Sequence, residues 1–296
     1  MERVMDFQRY QQAAVKTLQA ATPGMDPAIV PLLGLAGEAG SLATVYKKRL
    51  RDGPGYEQGK QQLREELGDL LWYVAALAHR LDLSLEDVAA ASLEKAKDRW
   101  RPTPEGERVQ FDDGFPDHER IPRKTTLTFT PTRTDSGRTV VILTRADGTR
   151  AGDPLTSASR VEDDYRFHDA FHLAHAAVLG WSPVTRFLLD CKRKSHRDVD
   201  EAEDGGRAIA IEEGISALVF SYASRHGYFK DIRRIDHELL TTIGQMTAHL
   251  EVSIHRAADW EHAILVGYAA WTRLREQGGG TVELDLDRQS LTVLDD

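Results

Sequence analysis

Between residues 58 and 81 the chain sets Leu63, Leu67, Leu70, Val74, Leu77 and Leu81 at three- and four-residue steps. That period fits an α-helix and excludes a strand, whose faces alternate every second residue. A helix this long with a wide apolar stripe needs partners to cover it. They are at hand. Residues 7–19 carry Phe7, Tyr10, Ala14 and Leu18 on one face, and residues 27–51 place Leu32, Leu35, Leu42 and Val45 on an inner side. Ser84-Leu85-Glu86-Asp87 reads as a capping box with Asp in place of Glu, opening a fourth helix that carries Val88, Ala91 and Leu93 towards Trp100. Pro23-Gly24 and Asp52-Gly53-Pro54-Gly55 supply the breaks. Four helices with short connections over residues 1–100 predict a bundle.

Residues 101–123 change character. Pro102, Pro104, Gly106, Gly114, Pro116 and Pro122 make a linker or an extended wrapping segment, with Phe111 and Phe115 set to dock on a surface. Residues 124–296 then mix periods. Thr126–Thr130, Thr139–Leu143, Thr281–Leu286 and Leu291–Leu294 read as strands, with turns at Asp135-Ser136-Gly137 and Ala146-Asp147-Gly148. Helices are expected over Tyr165–Leu179, Val184–Ser195 and Arg207–Arg225, with one or two more within Asp236–Leu274. The fold class is therefore mainly α: a four-helix bundle, then an α+β domain whose helical core carries one small β-sheet.

Composition narrows the function. Across 296 residues, 47 Asp and Glu against 38 Lys and Arg leave a net charge of −9, which disfavours binding to nucleic-acid polymers or anionic membranes. Small anionic ligands stay open, since a divalent cation reverses the local field. Cys191 is the only cysteine, so there is neither an intrachain disulfide nor a cysteine-rich zinc site, and a packed residue is expected there rather than a nucleophile. No unbroken apolar run approaches the ~18 residues of a membrane span. Met1-Glu2-Arg3-Val4-Met5-Asp6 carries charge where a signal peptide needs its apolar stretch. A cytoplasmic setting is the expectation.

The chemistry concentrates in the second and third helices. Glu38 lies within Gly34-Leu35-Ala36-Gly37-Glu38-Ala39-Gly40-Ser41-Leu42, where the glycines point to close helix approach or ligand access. Glu66 and Asp69 stand three residues apart on one helical face, bordered by Leu63, Leu67, Leu70 and Leu71, and are placed to grip one cation. Carboxylates beside packed leucines require a partner or a metal, and Mg²⁺ prefers such all-oxygen sites.

With these residues in hand, the first hundred resemble the MazG family of all-α nucleoside triphosphate pyrophosphohydrolases. The matching stretches are Phe7-Gln8-Arg9-Tyr10-Gln11, Gly34 to Leu42, Glu65 to Ala78 and Lys95-Ala96-Lys97-Asp98-Arg99-Trp100. The resemblance implies a four-helix fold, a homodimer or higher homo-oligomer, and Mg²⁺, with Mn²⁺ as a substitute, for splitting a nucleoside triphosphate into monophosphate and pyrophosphate. It also implies Glu38, Glu66 and Asp69 as metal-binding carboxylates, with Glu38 acting on the attacking water. Lys95 and Arg99 become the phosphate-contacting pair, and Trp72 and Tyr73 contribute to a base pocket or pack in the core. Nucleotide-pool control or phage defence would be the setting.

One departure supports a second reading. Where the family's first motif is E-x-x-E, this chain has Glu38-Ala39-Gly40-Ser41. A hydroxyl carries no charge and ligates Mg²⁺ weakly. Either three acids still assemble a working site, or the domain is a catalytically weakened nucleotide sensor or interaction module. Ser92 also stands where many relatives carry Asn.

In the second half, His168, His172 and His175 recur at helical spacing, and Ile211-Glu212-Glu213-Gly214-Ile215-Ser216 looks like a blurred copy of the Arg64–Leu71 stretch. The region resembles the C-terminal domain fused to some MazG-type enzymes and associated with bacterial conflict systems. His168, His172 and Glu213, with Asp169, have two readings: a second metal or nucleotide site, or a hydrogen-bonded network buried between helices. The network is preferred, because a complete ligand set of known geometry is not visible in the sequence. Lys192-Arg193-Lys194, close to Asp198, Asp200, Glu201, Glu203 and Asp204, reads as a solvated, charge-balanced loop.

Overall fold

A computed structural model describes residues 5–20, 23–53, 59–160 and 162–295. The charged residues 1–4, the expected break at Pro54-Gly55 and the expected helix start at Gln58 lie outside them. The chain divides into two compact units, Met1–Ala96 and Lys97–Asp296.

The first unit is helical: α1 (Phe7–Val15), α2 (Ile29–Asp52), α3 (Gly59–Arg80) and α4 (Leu85–Trp100), the last running past the unit's edge. Asp6 caps α1 by accepting from the Arg9 amide at 2.8 Å. Ser84 caps α4 through the Asp87 amide at 3.3 Å, as its sequence predicts. The buried cluster is small, consisting of Ala14, Ala75 and Leu85 with Tyr10, Trp72 and Val74 against it. Several residues expected to face inward do not. Leu32, Leu67, Leu81 and Leu93 are 54%, 55%, 53% and 64% exposed, and Phe7 and Val88 are also open. The periodicity is real, but α2, α3 and α4 carry more apolar surface than one copy of this unit covers. For α2 an 18-residue window reaches a mean hydropathy of 1.4, long and apolar enough by length and composition to cross a membrane. The expectation from unbroken apolar runs missed this, because small residues and Glu38 interrupt the stretch.

The second unit wraps a five-stranded antiparallel sheet around a helical core. The strands are β1 (Lys124–Arg133), β2 (Thr139–Arg145), β3 (Arg150–Leu155), β4 (Gly280–Asp285) and β5 (Ser290–Val293), in the order β3-β2-β1-β4-β5. The early and late strands do share one sheet, and β3 is an addition to those expected. Alternation sends Leu127, Phe129, Val141, Leu143, Val282, Leu284 and Val293 inward. Against them lies α5 (Asp169–Leu179), whose residues are all buried, and against α5 runs α10 (Ala257–Gln277). Gly267 permits that approach, because a Cβ there would stand 3.2 Å from the Cβ of Ala174. Gly278, Gly279 and Gly280, at φ +72°, +126° and +141°, carry the chain from α10 straight into β4.

The remaining helices are α6 (Pro183–Leu189), α7 (Arg197–Ala202), α8 (Gly206–Ser224) and α9 (His237–Met246). α6 stops well short of Ser195, because Asp190 enters the left-handed region at φ 56°.

Residues 101–123 wrap this unit. Ile121 and Asp112 are each 1% exposed, and Asp112 takes hydrogen bonds from the Ile121 amide and the Arg186 guanidinium, both at 2.9 Å. Phe111 packs against the core and Phe115 sits edge-on to His196. Arg193 is buried too, paired with Asp204 at 2.7 Å and Glu251 at 2.6 Å, which corrects the solvated-loop expectation for its segment. Cys191 is buried, and burial pushes its thiol up to about 11, as suits a packed residue.

Candidate functional site

Within the first unit, the half-buried positions of α2 are Gly34, Leu35, Glu38, Ser41 and Leu42, and those of α3 include Leu63, Glu66 and Leu70. The spacing of three and four residues makes each set a single stripe, so Glu38 and Glu66 belong to the stripes by which α2 and α3 pack. Asp69 stands one turn beyond Glu66 and is exposed. Glu66 senses the other two acids. The Glu66 carboxyl is held above its ordinary range, first by loss of water and then by the negative charge of Glu38 and Asp69. Tyr10 of α1 is likewise raised, by burial and then by Asp69, so α1 borders the same site.

Glu38, Glu66 and Asp69 offer only oxygen donors rich in negative charge, the kind a hard divalent cation takes, but among the described residues their ligand atoms do not all come within 4.8 Å of one another. Ser41, one turn after Glu38 on the same stripe, adds a neutral hydroxyl there.

Beside the acids, Trp72 and Tyr73 meet edge-to-face at 5.0 Å, and the Trp72 indole donates to the Thr17 hydroxyl at 2.9 Å. They line a pocket of about 260 Å³ with Met25, Val30, Pro31 and Arg80. Gly34 shapes its wall: a Cβ there would lie 2.1 Å from Cε1 of Tyr73, so close helix approach is the reason for this glycine. Gly37 and Gly40 have nothing within 4 Å of a Cβ.

The basic pair separates in its engagement. Lys95 is exposed. Arg99 lies in the second unit, where its guanidinium donates to the Ile235 carbonyl at 2.7 Å, faces Glu261 at 3.6 Å and covers the Trp100 ring at 4.8 Å.

The second unit holds its own polar centre. His172 and Glu212 are 0% exposed, with His172 Nδ1 3.1 Å from Glu212 Oε1. Although burial alone would discharge it, the carboxylates of Glu212 and Glu213 lift His172 to about 10. Glu212 is drawn down to about 2 against its own desolvation by His172 and His175. Sequence reasoning singled out His168, His172 and Glu213 and missed Glu212. The signal was present: Ala208, Glu212, Ile215, Val219 and Ala223 form the buried stripe of α8 at helical spacing.

Comparison with known proteins agrees with this division. Residues 31–102 match the MazG nucleotide pyrophosphohydrolase domain, and residues 106–296 match the MazG C-terminal domain. The Gene 37 protein of Mycobacterium phage L5 is 45% identical over 69 residues, covering 23% of this chain and 60% of that protein. The chain thus spans about 60% of the length of that curated relative. No solved structure matches. The chain belongs to the MazG family, joining a MazG nucleotide pyrophosphohydrolase domain to a MazG C-terminal domain.

Proposed function

We propose that the first unit hydrolyses a nucleoside triphosphate, NTP or dNTP, to nucleoside monophosphate and pyrophosphate in the presence of Mg²⁺. The observation that carries this reading is the pull of Glu38 and Asp69 on Glu66 within a domain matched to nucleotide pyrophosphohydrolases. Those three carboxylates would hold the ion. Bound there, Mg²⁺ supplies charge neutralisation at the phosphate oxygens. Glu38, half-buried on the α2 stripe, orients the attacking water and takes its proton. Lys95 offsets negative charge on the phosphates. Trp72 and Tyr73 give the base a flat apolar wall.

A homo-oligomer belongs to the same reading. Leu32, Leu33, Leu50, Leu67 and Leu93 are each more than half exposed, and a second copy of this chain is the natural cover. Incubation with a panel of NTPs and dNTPs, Mg²⁺ or Mn²⁺, and separation of the products tests the activity. Monophosphate formation supports it, and intact triphosphate under every metal overturns it.

Ser41 favours a second reading, a nucleotide sensor with weakened turnover. On that reading nucleotide binds tightly without product, and Ser41→Glu raises turnover by about tenfold or more, the effect of ~1.4 kcal/mol on the barrier.

A further inference from the structure

His168 and His172 stand one helical turn apart where α5 begins, so their imidazoles share a face. Both turn Nδ1 towards an acceptor. His168 Nδ1 lies 2.9 Å from the Tyr165 carbonyl oxygen, and His172 Nδ1 lies 3.1 Å from Glu212 Oε1. Their Nε2 atoms are left to a group of carboxylates. His168 Nε2 is 3.7 Å from Asp169 Oδ1 and 4.0 Å from Glu213 Oε2, and His172 Nε2 is 3.6 Å from that same Glu213 oxygen. His168, Asp169 and His172 bring ligand atoms within 4.8 Å of one another.

These spacings are not those of hydrogen bonds. His172 is fully buried, yet its Nε2 has no hydrogen-bond partner in good geometry. Such an orphaned buried group costs about 1–3 kcal/mol. Donors on one first-row ion, each about 2.0–2.2 Å from it, stand roughly 3.3 Å apart at tetrahedral angles and up to about 4.3 Å when opposite. The separations of 3.6, 3.7 and 4.0 Å fall within that range. The outer contacts fit as well. Metal-bound histidines donate their other N–H to a carbonyl or carboxylate, which fixes the ring. Glu212 is itself held, accepting from the Ser182 hydroxyl at 3.1 Å and the Val184 amide at 2.9 Å.

We propose that His168, Asp169 and His172 form a mixed nitrogen–oxygen site for one first-row divalent cation of the Zn²⁺, Fe²⁺ or Mn²⁺ class, with Glu213 beside it and with Tyr165 and Glu212 orienting the imidazoles. Two imidazoles separate this site from the all-oxygen set of the first unit, because Mg²⁺ prefers oxygen ligands. The side chains of His168 and Glu213, 13% and 42% exposed, give the ion a path from solvent.

Co²⁺ is the probe. Full-length protein carrying Glu66→Gln, which weakens the first unit's acids, is stripped with chelator and titrated with Co²⁺. One equivalent per chain is expected, with the visible bands of nitrogen–oxygen ligation. Adding His168→Gln or Glu213→Gln, each at a partly exposed position, is expected to weaken binding by at least about tenfold and to abolish those bands, with far-UV circular dichroism unchanged. No bound Co²⁺, or the same affinity and spectrum in both variants, would overturn the site.

Discussion

A Cβ on Gly34 would lie 2.1 Å from Cε1 and 2.3 Å from Cζ of Tyr73, so the backbone of α2 packs directly on that ring. Gly34→Ala is expected to destabilise the first unit by about 1–3 kcal/mol, the cost of overpacking, despite the better helix propensity of Ala. Gly37→Ala is the internal control. Nothing stands within 4 Å of its Cβ, so it is expected to gain about 0.5–1 kcal/mol from propensity alone in the separated chain. Urea unfolding of the two variants gives opposite signs.

Glu66 sits at odds with stability. Desolvation and the charges of Glu38 and Asp69 raise its folded-state proton affinity. The contribution of such a group is intact below the ordinary glutamate value of about 4.3 and is lost as pH rises through the higher folded value. Ionisation of Glu66 therefore works against the metal-free fold. Glu66→Gln is expected to raise the melting temperature in chelator while removing activity. Added Mg²⁺ is expected to stabilise the native protein and to leave Glu66→Gln nearly unchanged. A variant that melts lower than the native chain in chelator would contradict this.

Asp259 shows the opposite linkage in the second unit. Burial would raise it, but hydrogen bonds from His255, Thr103 and the Arg256 amide bring it down to about 2. Its oxygens accept from the Thr103 amide at 2.8 Å and the Thr103 hydroxyl at 2.7 Å. Its stabilisation is complete above the ordinary aspartate value near 3.9 and disappears as pH falls through about 2. Asp259→Asn is expected to cost about 2–3 kcal/mol at pH 7 and much less at pH 2. Denaturant midpoints at the two pH values give the comparison.

Asp112 and Arg186, each 1% exposed, anchor the wrapping segment at 2.9 Å. Asp112→Ala leaves a buried guanidinium without this partner, and a loss of about 3–5 kcal/mol is expected. Limited proteolysis is expected to cut between residues 101 and 123 in the variant before it cuts the native chain.

The leucine steps of α3 and the Ser84 cap were legible because they depend on neighbours three and four residues away. β3 was not, because Gly152 at φ +66° and Pro154 break its alternation, and its register shifts between Val141 and Leu143. Arg193 read as part of a charged loop because its partners, Asp204 and Glu251, are 11 and 58 residues away. The acids Glu38, Glu66 and Asp69 were named from spacing and resemblance, whereas the role of Glu212 depended on which face of α8 turned inward. Long-range pairing and helix rotation are tertiary facts, and local pattern records them weakly.

Following the phosphorus of a nucleoside triphosphate by ³¹P NMR, with the protein and Mg²⁺, reads the proposed cleavage itself. One pyrophosphate for each nucleoside monophosphate is expected from the native chain, and neither product from Glu66→Gln. Release of nucleoside diphosphate and orthophosphate, or an unchanged rate in Glu66→Gln, would contradict it.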